Sequence, residues 1–240
     1  MFTLHNGDCL KFMETLQPAS ISAIVTDPPY GIAINKSNRL SVSRGFGSET
    51  WDAERNVEAV KMIFDKFHLP IVIWGGNYYA DVLPPMRGWL AWDKLNDGRD
   101  FGELELAWTN IDTVIRRYKK FPVKMDGGKV HPTQKPIEIM KWCIEKCSNV
   151  GDVIFDPFMG SGSTDVAALQ MGREFIGCEL SPEYFAVAEK RIKQAALQQT
   201  LFTPSNTACT PTAFGVGTQA ANPLQGNFLA DDLPATHGGG

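Results

Sequence analysis

Short apolar runs that alternate with helical patterns leave this chain few folds to choose from. Residues 23–26, 71–74, 89–92, 153–155 and 174–178 are such runs, and each gives way to a polar or glycine-rich turn. Several are rich in β-branched residues, and their length suits strands buried on both faces of a parallel sheet. Between them, Ile137, Met140, Ile144 and Cys147 recur at the spacing of one helical face, as do Tyr184, Val187, Ala188 and Ala195. Ser181 before Pro182 reads as a helix N-cap with proline in the first turn, and Gly172 suits the end of the preceding helix. Strand and helix taken in turn predict an α/β fold built on a doubly wound sheet.

Two stretches break the alternation. Residues 34–52 are rich in Ser, Asn, Arg and Gly without periodicity, and residues 96–130 mix aromatic, short β-like and basic segments. Both are expected as long loops or small insertions, which in α/β enzymes usually carry function. From about Thr200 the composition turns to Thr, Ala, Gly and Pro, and no Lys or Arg follows Lys193. One folded domain over residues 1–199 and a disordered tail over 200–240 are expected.

With 240 residues and 43% hydrophobic content, the chain can bury one substantial core. No stretch approaches the roughly 20 apolar residues of a membrane helix. Residues 1–8 lack the basic start and apolar run of a signal peptide, so an intracellular, cytoplasmic protein is expected. Five cysteines (Cys9, Cys143, Cys147, Cys178 and Cys209) form no Cys-x-x-Cys pair, which argues against disulfides. Cys143 and Cys147 share a helical face and read as packed thiols; no metal is expected.

A net charge of −4 argues against a nonspecific polyanion binder. Between Arg116 and Lys135, however, seven basic residues (Arg116, Arg117, Lys119, Lys120, Lys124, Lys129 and Lys135) face one acid, Asp126. A basic stretch on an acidic body suits a protein that meets nucleic acid on one face, although a charge run alone is more often a solvated loop.

Three motifs carry chemistry. In Val25-Thr26-Asp27-Pro28-Pro29-Tyr30, an apolar strand ends in an acid, two prolines and an aromatic. The prolines stop ladder pairing and hold the backbone extended, at the strand edge where open α/β sheets bind ligands. The exocyclic amine of a base is a poor nucleophile because its lone pair is delocalised into the ring. An Asp27 carboxylate and the Pro28 carbonyl could accept its two N–H bonds and turn that lone pair out of plane, while Tyr30 offers a stacking face. The second motif, Asp156-Pro157-Phe158-Met159-Gly160-Ser161-Gly162-Ser163-Thr164, follows a strand and opens a helix, so its backbone can approach a ligand closely. Glu179 lies 23 residues beyond Asp156, where nucleotide-binding α/β units place an acid on ribose hydroxyls. Asp165 stands where a dinucleotide fingerprint would have its last glycine. The third motif, His131-Pro132-Thr133-Gln134-Lys135-Pro136, sets a hydroxyl and a lysine between prolines before an amphipathic helix.

Together, in this order, the three motifs resemble those of β-class amino-group DNA methyltransferases, over residues 2–195 and most like short phage-type members. Asn6-Gly7-Asp8-Cys9, Trp74-Gly75-Gly76-Asn77-Tyr78-Tyr79 and Trp92-Asp93-Lys94 add to the likeness. The resemblance implies a methyltransferase-type Rossmann sheet, mixed in strand direction and circularly permuted in motif order. It also implies S-adenosyl-L-methionine as cofactor, double-stranded DNA as partner and substrate, a homodimer as one assembly, and a restriction–modification setting. By the same resemblance Asp27, Pro28, Pro29 and Tyr30 hold the target base. Asp156, Phe158, Gly160, Ser161 and Gly162 line the methionine portion of the cofactor, Glu179 takes its ribose, and Asp8 with Cys9 its adenine. Thr133 and Lys135 hold its carboxylate. Arg116, Arg117, Lys119 and Lys120 would contact DNA, from a target-recognition insertion around 96–130. The Asp-Pro-Pro-Tyr spelling is commoner in adenine-N6 enzymes and Ser-Pro-Pro-Tyr in cytosine-N4 enzymes, so adenine is the expected target. Cytosine N4, an RNA or protein-amide substrate, and a non-catalytic DNA-binding role stay open as alternatives.

Overall fold

The computed structural model describes residues 1–32, 54–98, 102–122 and 134–202. The expected loop over 34–52, Lys124, Lys129, Thr133 and most of the expected tail lie outside the described residues.

In chain order the elements are β1 (Phe2–Asn6), α1 (Cys9–Thr15), β2 (Ala23–Thr26), α2 (Val57–Lys66), β3 (Ile71–Trp74), β4 (Trp89–Asp93), β5 (Leu104–Thr109), β6 (Arg116–Lys119), α3 (Ile137–Cys147), β7 (Val153–Asp156), α4 (Ser163–Gln170), β8 (Glu174–Glu179) and α5 (Pro182–Phe202). The strands form one sheet in the order β1-β8-β7-β2-β3-β5-β4-β6. From β1 to β3 all neighbours are parallel, whereas β5 runs antiparallel to both β3 and β4, and β6 pairs parallel with β4. The doubly wound sheet expected from the alternation, and the mixed strand direction implied by the resemblance, are borne out.

Alternate side chains of the central strands feed two cores. Ala23, Val25, Val72, Trp74 and Ile154 pack with α3, α4 and α5 on one face. Ile24, Ile71, Ile73 and Phe155 pack with α1 and α2 on the other. Burial on both faces explains why these strands read as continuous apolar runs. At the helix ends, Tyr184 N lies 3.5 Å from the Ser181 hydroxyl, and Gly172 takes a φ of +74° just beyond α4. Cys143 and Cys147 are free, buried thiols, as their spacing suggested.

Two expectations are corrected. Residues 104–109 and 116–119, expected within an insertion, are instead strands of the main sheet. Leu106 and Trp108 alternate with Glu105 and Ala107, but flanking glycine and charge hide that period. The 116–119 run pairs parallel with β4, but its mostly charged and exposed side chains announce no period. Helix α5 continues to Phe202, past residue 200 at which the tail was expected to begin. No helix among the described residues is long and apolar enough to cross a membrane.

Ile73 is fully buried in β3, between β2 and β5. Ile73→Ala should therefore lower unfolding stability by about 2–5 kcal/mol, read as a fall in the urea midpoint at unchanged slope.

Candidate active site

The carboxyl ends of β1, β2, β7 and β8 open onto one cleft of 1120 Å³. Its lining includes Asp8 and Cys9 after β1, Asp27 and Pro29 after β2, Phe158, Gly160, Ser161 and Ser163 after β7, and Glu179 after β8. Gln134 and Lys135 enter from the segment before α3, and Glu54, Arg55 and Asn56 from the start of α2. The acid–proline turn and the glycine loop, 130 residues apart in sequence, therefore share a cavity.

Asp156 joins them. Its side chain is 1% exposed and accepts hydrogen bonds from Thr26 Oγ1 at 2.6 Å, Phe158 N at 3.0 Å and Thr164 Oγ1 at 2.6 Å. Thr26 immediately precedes Asp27, so a residue expected to line the cofactor ties the glycine loop to the 27–30 turn from behind. Burial pushes the Asp156 carboxyl up to about 6, against the pull of the two threonine hydroxyls. Gly162 likewise shapes the loop, with φ +83°, without lining the cleft.

Glu179 lines the cleft while its oxygens accept from Gly160 N and Ser181 N, each at 2.8 Å. Asp8 caps α1 by accepting from Leu10 N at 2.8 Å. Cys9 is buried beside it, and burial pushes its thiol up to about 12, so it stays protonated. Ser163 Oγ is buried without a hydrogen-bond partner.

Asp27 is held by two donors. The Tyr30 hydroxyl donates to its Oδ1, and Lys135 Nζ donates to Oδ2 at 2.6 Å. Lys135 Nζ also lies 3.1 Å from the Tyr30 hydroxyl and 3.1 Å from Glu105 Oε2. Lys94 pairs with the other Glu105 oxygen at 2.7 Å. Lys135, expected on a cofactor carboxylate, therefore sits on protein carboxylates, because an ammonium only 5% exposed requires close anionic partners. Burial pushes Lys135 down, but Asp27 and Glu105 outweigh it and hold the ammonium well up. Burial pushes Asp27 up despite Lys135. Glu105 resists burial and is held at about 2 by Lys135 and Lys94.

The turn itself is pinned from the 3-10 segment Gly76–Tyr79. Tyr79, fully buried, donates to the Pro29 carbonyl and accepts from Asn56 N at 3.2 Å. Tyr78 stacks on Tyr30 with ring centres 4.8 Å apart. Pro28 is buried within the turn. At the far end of the glycine loop, Arg191 of α5 donates to the Ser161 carbonyl and, at 3.1 Å, to its hydroxyl. Asp165, in the first turn of α4, is wholly buried with neither oxygen bonded, and burial together with the nearby Asp156 pushes its carboxyl well up.

The basic residues lie at the other margin of the sheet. Arg116, Arg117 and Lys119 are exposed on β6, the edge strand. Arg117 is 3.7 Å from Asp93, and Lys120 pairs with Glu138 at 2.9 Å. Glu105, Tyr79 and Arg191 were not singled out as site residues in the sequence. Only the acid within an otherwise apolar alternation at 104–109 could have signalled one of them.

A family model described as DNA methylase, covering N6 and N4 enzymes, matches residues 73–190. Type II methyltransferase M2.DpnII of Streptococcus pneumoniae is 37% identical, the alignment spanning 79% of this chain and 89% of the relative. The chain belongs to the amino-group DNA methyltransferases. The solved complex of M1.HpyAVI with S-adenosylmethionine superposes with a TM-score of 0.56 at 22% identity, covering 80% of this chain and 99% of that one. The cytosine-N4-specific PvuII DNA methyltransferase also reaches a TM-score of 0.56, at 18% identity over 86% of this methyltransferase and 90% of its own chain. Both share the fold expected from the sequence.

Gly75, at φ +65°, lies against the Tyr30 ring so closely that a methyl group there would sit 2.0 Å from Tyr30 Cε1. Gly75→Ala should push Tyr30 off Asp27 and lower methyl transfer by about tenfold or more, with the barrier rising by about 1.4 kcal/mol or more. Cofactor affinity, measured by calorimetry, should change little.

Proposed function

We propose that this methyltransferase transfers a methyl group from S-adenosyl-L-methionine to adenine N6 in double-stranded DNA. The observation that carries the reading is the convergence of the 27–30 turn and the 156–164 loop on one cleft. The lining fits this cofactor chemically. Among the described residues of the lining, Asp8, Asp27, Glu54, Glu58 and Glu179 face Arg55 and Lys135, an acidic balance suited to a sulfonium cation. Glu179 and Asp8 supply acceptors for ribose hydroxyls and an adenine amine, Ser163 has an unused hydroxyl, and Phe158 an apolar wall. In these positions Glu179 would hold the ribose, Asp8 and Cys9 the adenine, and Phe158, Gly160 and Ser161 the methionine portion. Lys135 we assign to the target-base side.

The bound cofactor supplies an activated methyl group. The protein's own part is to present the nucleophile. The target nucleotide turns out of the duplex, at a cost of a few kcal/mol recovered in stacking and base-edge hydrogen bonds. Asp27 and the Pro28 carbonyl accept the two N–H bonds of the exocyclic amine, which frees its lone pair to attack in line. Positive charge then develops on nitrogen beside a carboxylate, and Asp27 takes the proton that the new N–C bond expels. Burial raises Asp27 toward the range in which it can accept that proton. The reaction needs no covalent base adduct. The turn of β2 precedes the glycine loop of β7 in sequence, although the strands are neighbours, which supports the circularly permuted reading.

Asp27→Ala should retain cofactor binding and lose about 10²–10⁴-fold in methyl transfer. A variant that methylates at near wild-type rate would overturn the role of Asp27. Mass analysis of digested, methylated DNA should yield N6-methyladenine. N4-methylcytosine would move the enzyme to the specificity of the PvuII neighbour.

The exposed Arg116 and Arg117 on β6 support a phosphate-contacting edge. Replacing both with glutamine should weaken DNA binding and flatten the slope of log K against log salt by about 2. An unchanged slope would assign the phosphate contacts to other residues.

A further inference from the structure

Both oxygens of Asp27 are in use, one by Tyr30 and one by Lys135. A base amine must compete with these donors for the carboxylate's remaining lone pairs. Lys135 cannot simply withdraw, because an ammonium 5% exposed that loses its counter-ion without replacement is strongly disfavoured. The structure supplies a second anion for it. Glu105 Oε2 lies 3.1 Å from Lys135 Nζ, and the other Glu105 oxygen is anchored by Lys94 at 2.7 Å. Lys94 Nζ in turn lies 5.4 Å from the centre of the Trp92 ring, so the outer end of the chain is itself held. Glu105 projects from β5, which runs antiparallel beside β3, and its neighbours Leu106 and Ala107 pair with β4. A rigid strand fixes its carboxylate in place.

We propose that Glu105 is a positioning residue for methyl transfer: it retains the Lys135 ammonium so that Asp27 can exchange that donor for the target amine. The inference rests on Asp27 as the acceptor of the amine. Without Glu105, Lys135 would have Asp27 as its sole carboxylate partner within salt-bridge distance among the described residues, and the amine would have to compete with a tighter ion pair. The charged and titratable groups facing Asp27 are Tyr30 in its own turn, Lys135 before α3, Glu105 on β5 and Asp156 at the end of β7. Asp8, Glu54, Arg55, Glu58 and Glu179 line the rest of the cleft. Among them Glu105 raises the Asp27 carboxyl and Lys135 lowers it. Neutralising Glu105 therefore lowers the pH at which Asp27 becomes ionised and competent.

Two readouts of opposite sense follow, and a merely structural defect would not give both. In the full-length protein, Glu105→Gln should lower the single-turnover plateau rate about tenfold, a barrier change of about 1.4 kcal/mol. At the same time the acid limb of the rate profile should extend to lower pH. Cofactor and DNA dissociation constants should stay within about threefold, less than 1 kcal/mol. If Glu105→Gln does not fold, Glu105→Asp gives the same readouts at smaller amplitude, because the carboxylate is drawn back by one methylene. An acid limb that stays in place or rises, in a variant with wild-type melting behaviour, overturns the proposal. Failure of the underlying assignment looks different: Asp27→Ala would then remain active, whereas failure of Glu105 alone leaves Asp27→Ala inactive and the limb unmoved.

Discussion

The buried carboxyl of Asp156 is the joint on which the site depends. It receives Thr26 from the neighbouring strand, and Phe158 and Thr164 from its own loop, so one side chain ties together two segments that must act together. Hydrogen bonds to an ionised group contribute about 1.5–3 kcal/mol each, and a buried carboxylate stripped of them would be costly. The tie therefore resists change in either direction. Because Thr26 is the residue before Asp27, any slip of the glycine loop is felt one residue away from that carboxylate.

What the sequence disclosed and what it withheld divide along a physical line. Asp27, Asp156 and Glu179 were legible because each closes an apolar strand, and the carboxyl ends of neighbouring parallel strands must lie at one edge. The chain's own neighbours decide such positions. Lys135 was legible as part of a motif but not in its partner, since Asp27 lies 108 residues away and nothing local marks the pairing. Tyr79 reaching the Pro29 carbonyl and Arg191 reaching Ser161 were hidden for the same reason. β6 was expected within a loop or small insertion because, in Arg116-Arg117-Tyr118-Lys119, only Tyr118 is half-buried, too little to betray a period. Its place in the sheet is set by backbone hydrogen bonding, which every residue but proline can offer.

Asp165 stands where a dinucleotide fingerprint would have its last glycine, and there the chain carries a wholly buried carboxyl whose oxygens accept no hydrogen bond. Burial and the nearby Asp156 push that carboxyl well up, which favours its neutral form where it packs against Gly162.

The acidic lining of the cleft bears on turnover as well as on capture. A methyl donor carries its positive charge on sulfur and gives that charge up with the methyl group, leaving a neutral thioether. Walls bearing Asp8, Glu54, Glu58 and Glu179 attract the cation and have no such hold on what remains. Transfer of the methyl group therefore removes the charge on which that attraction acts.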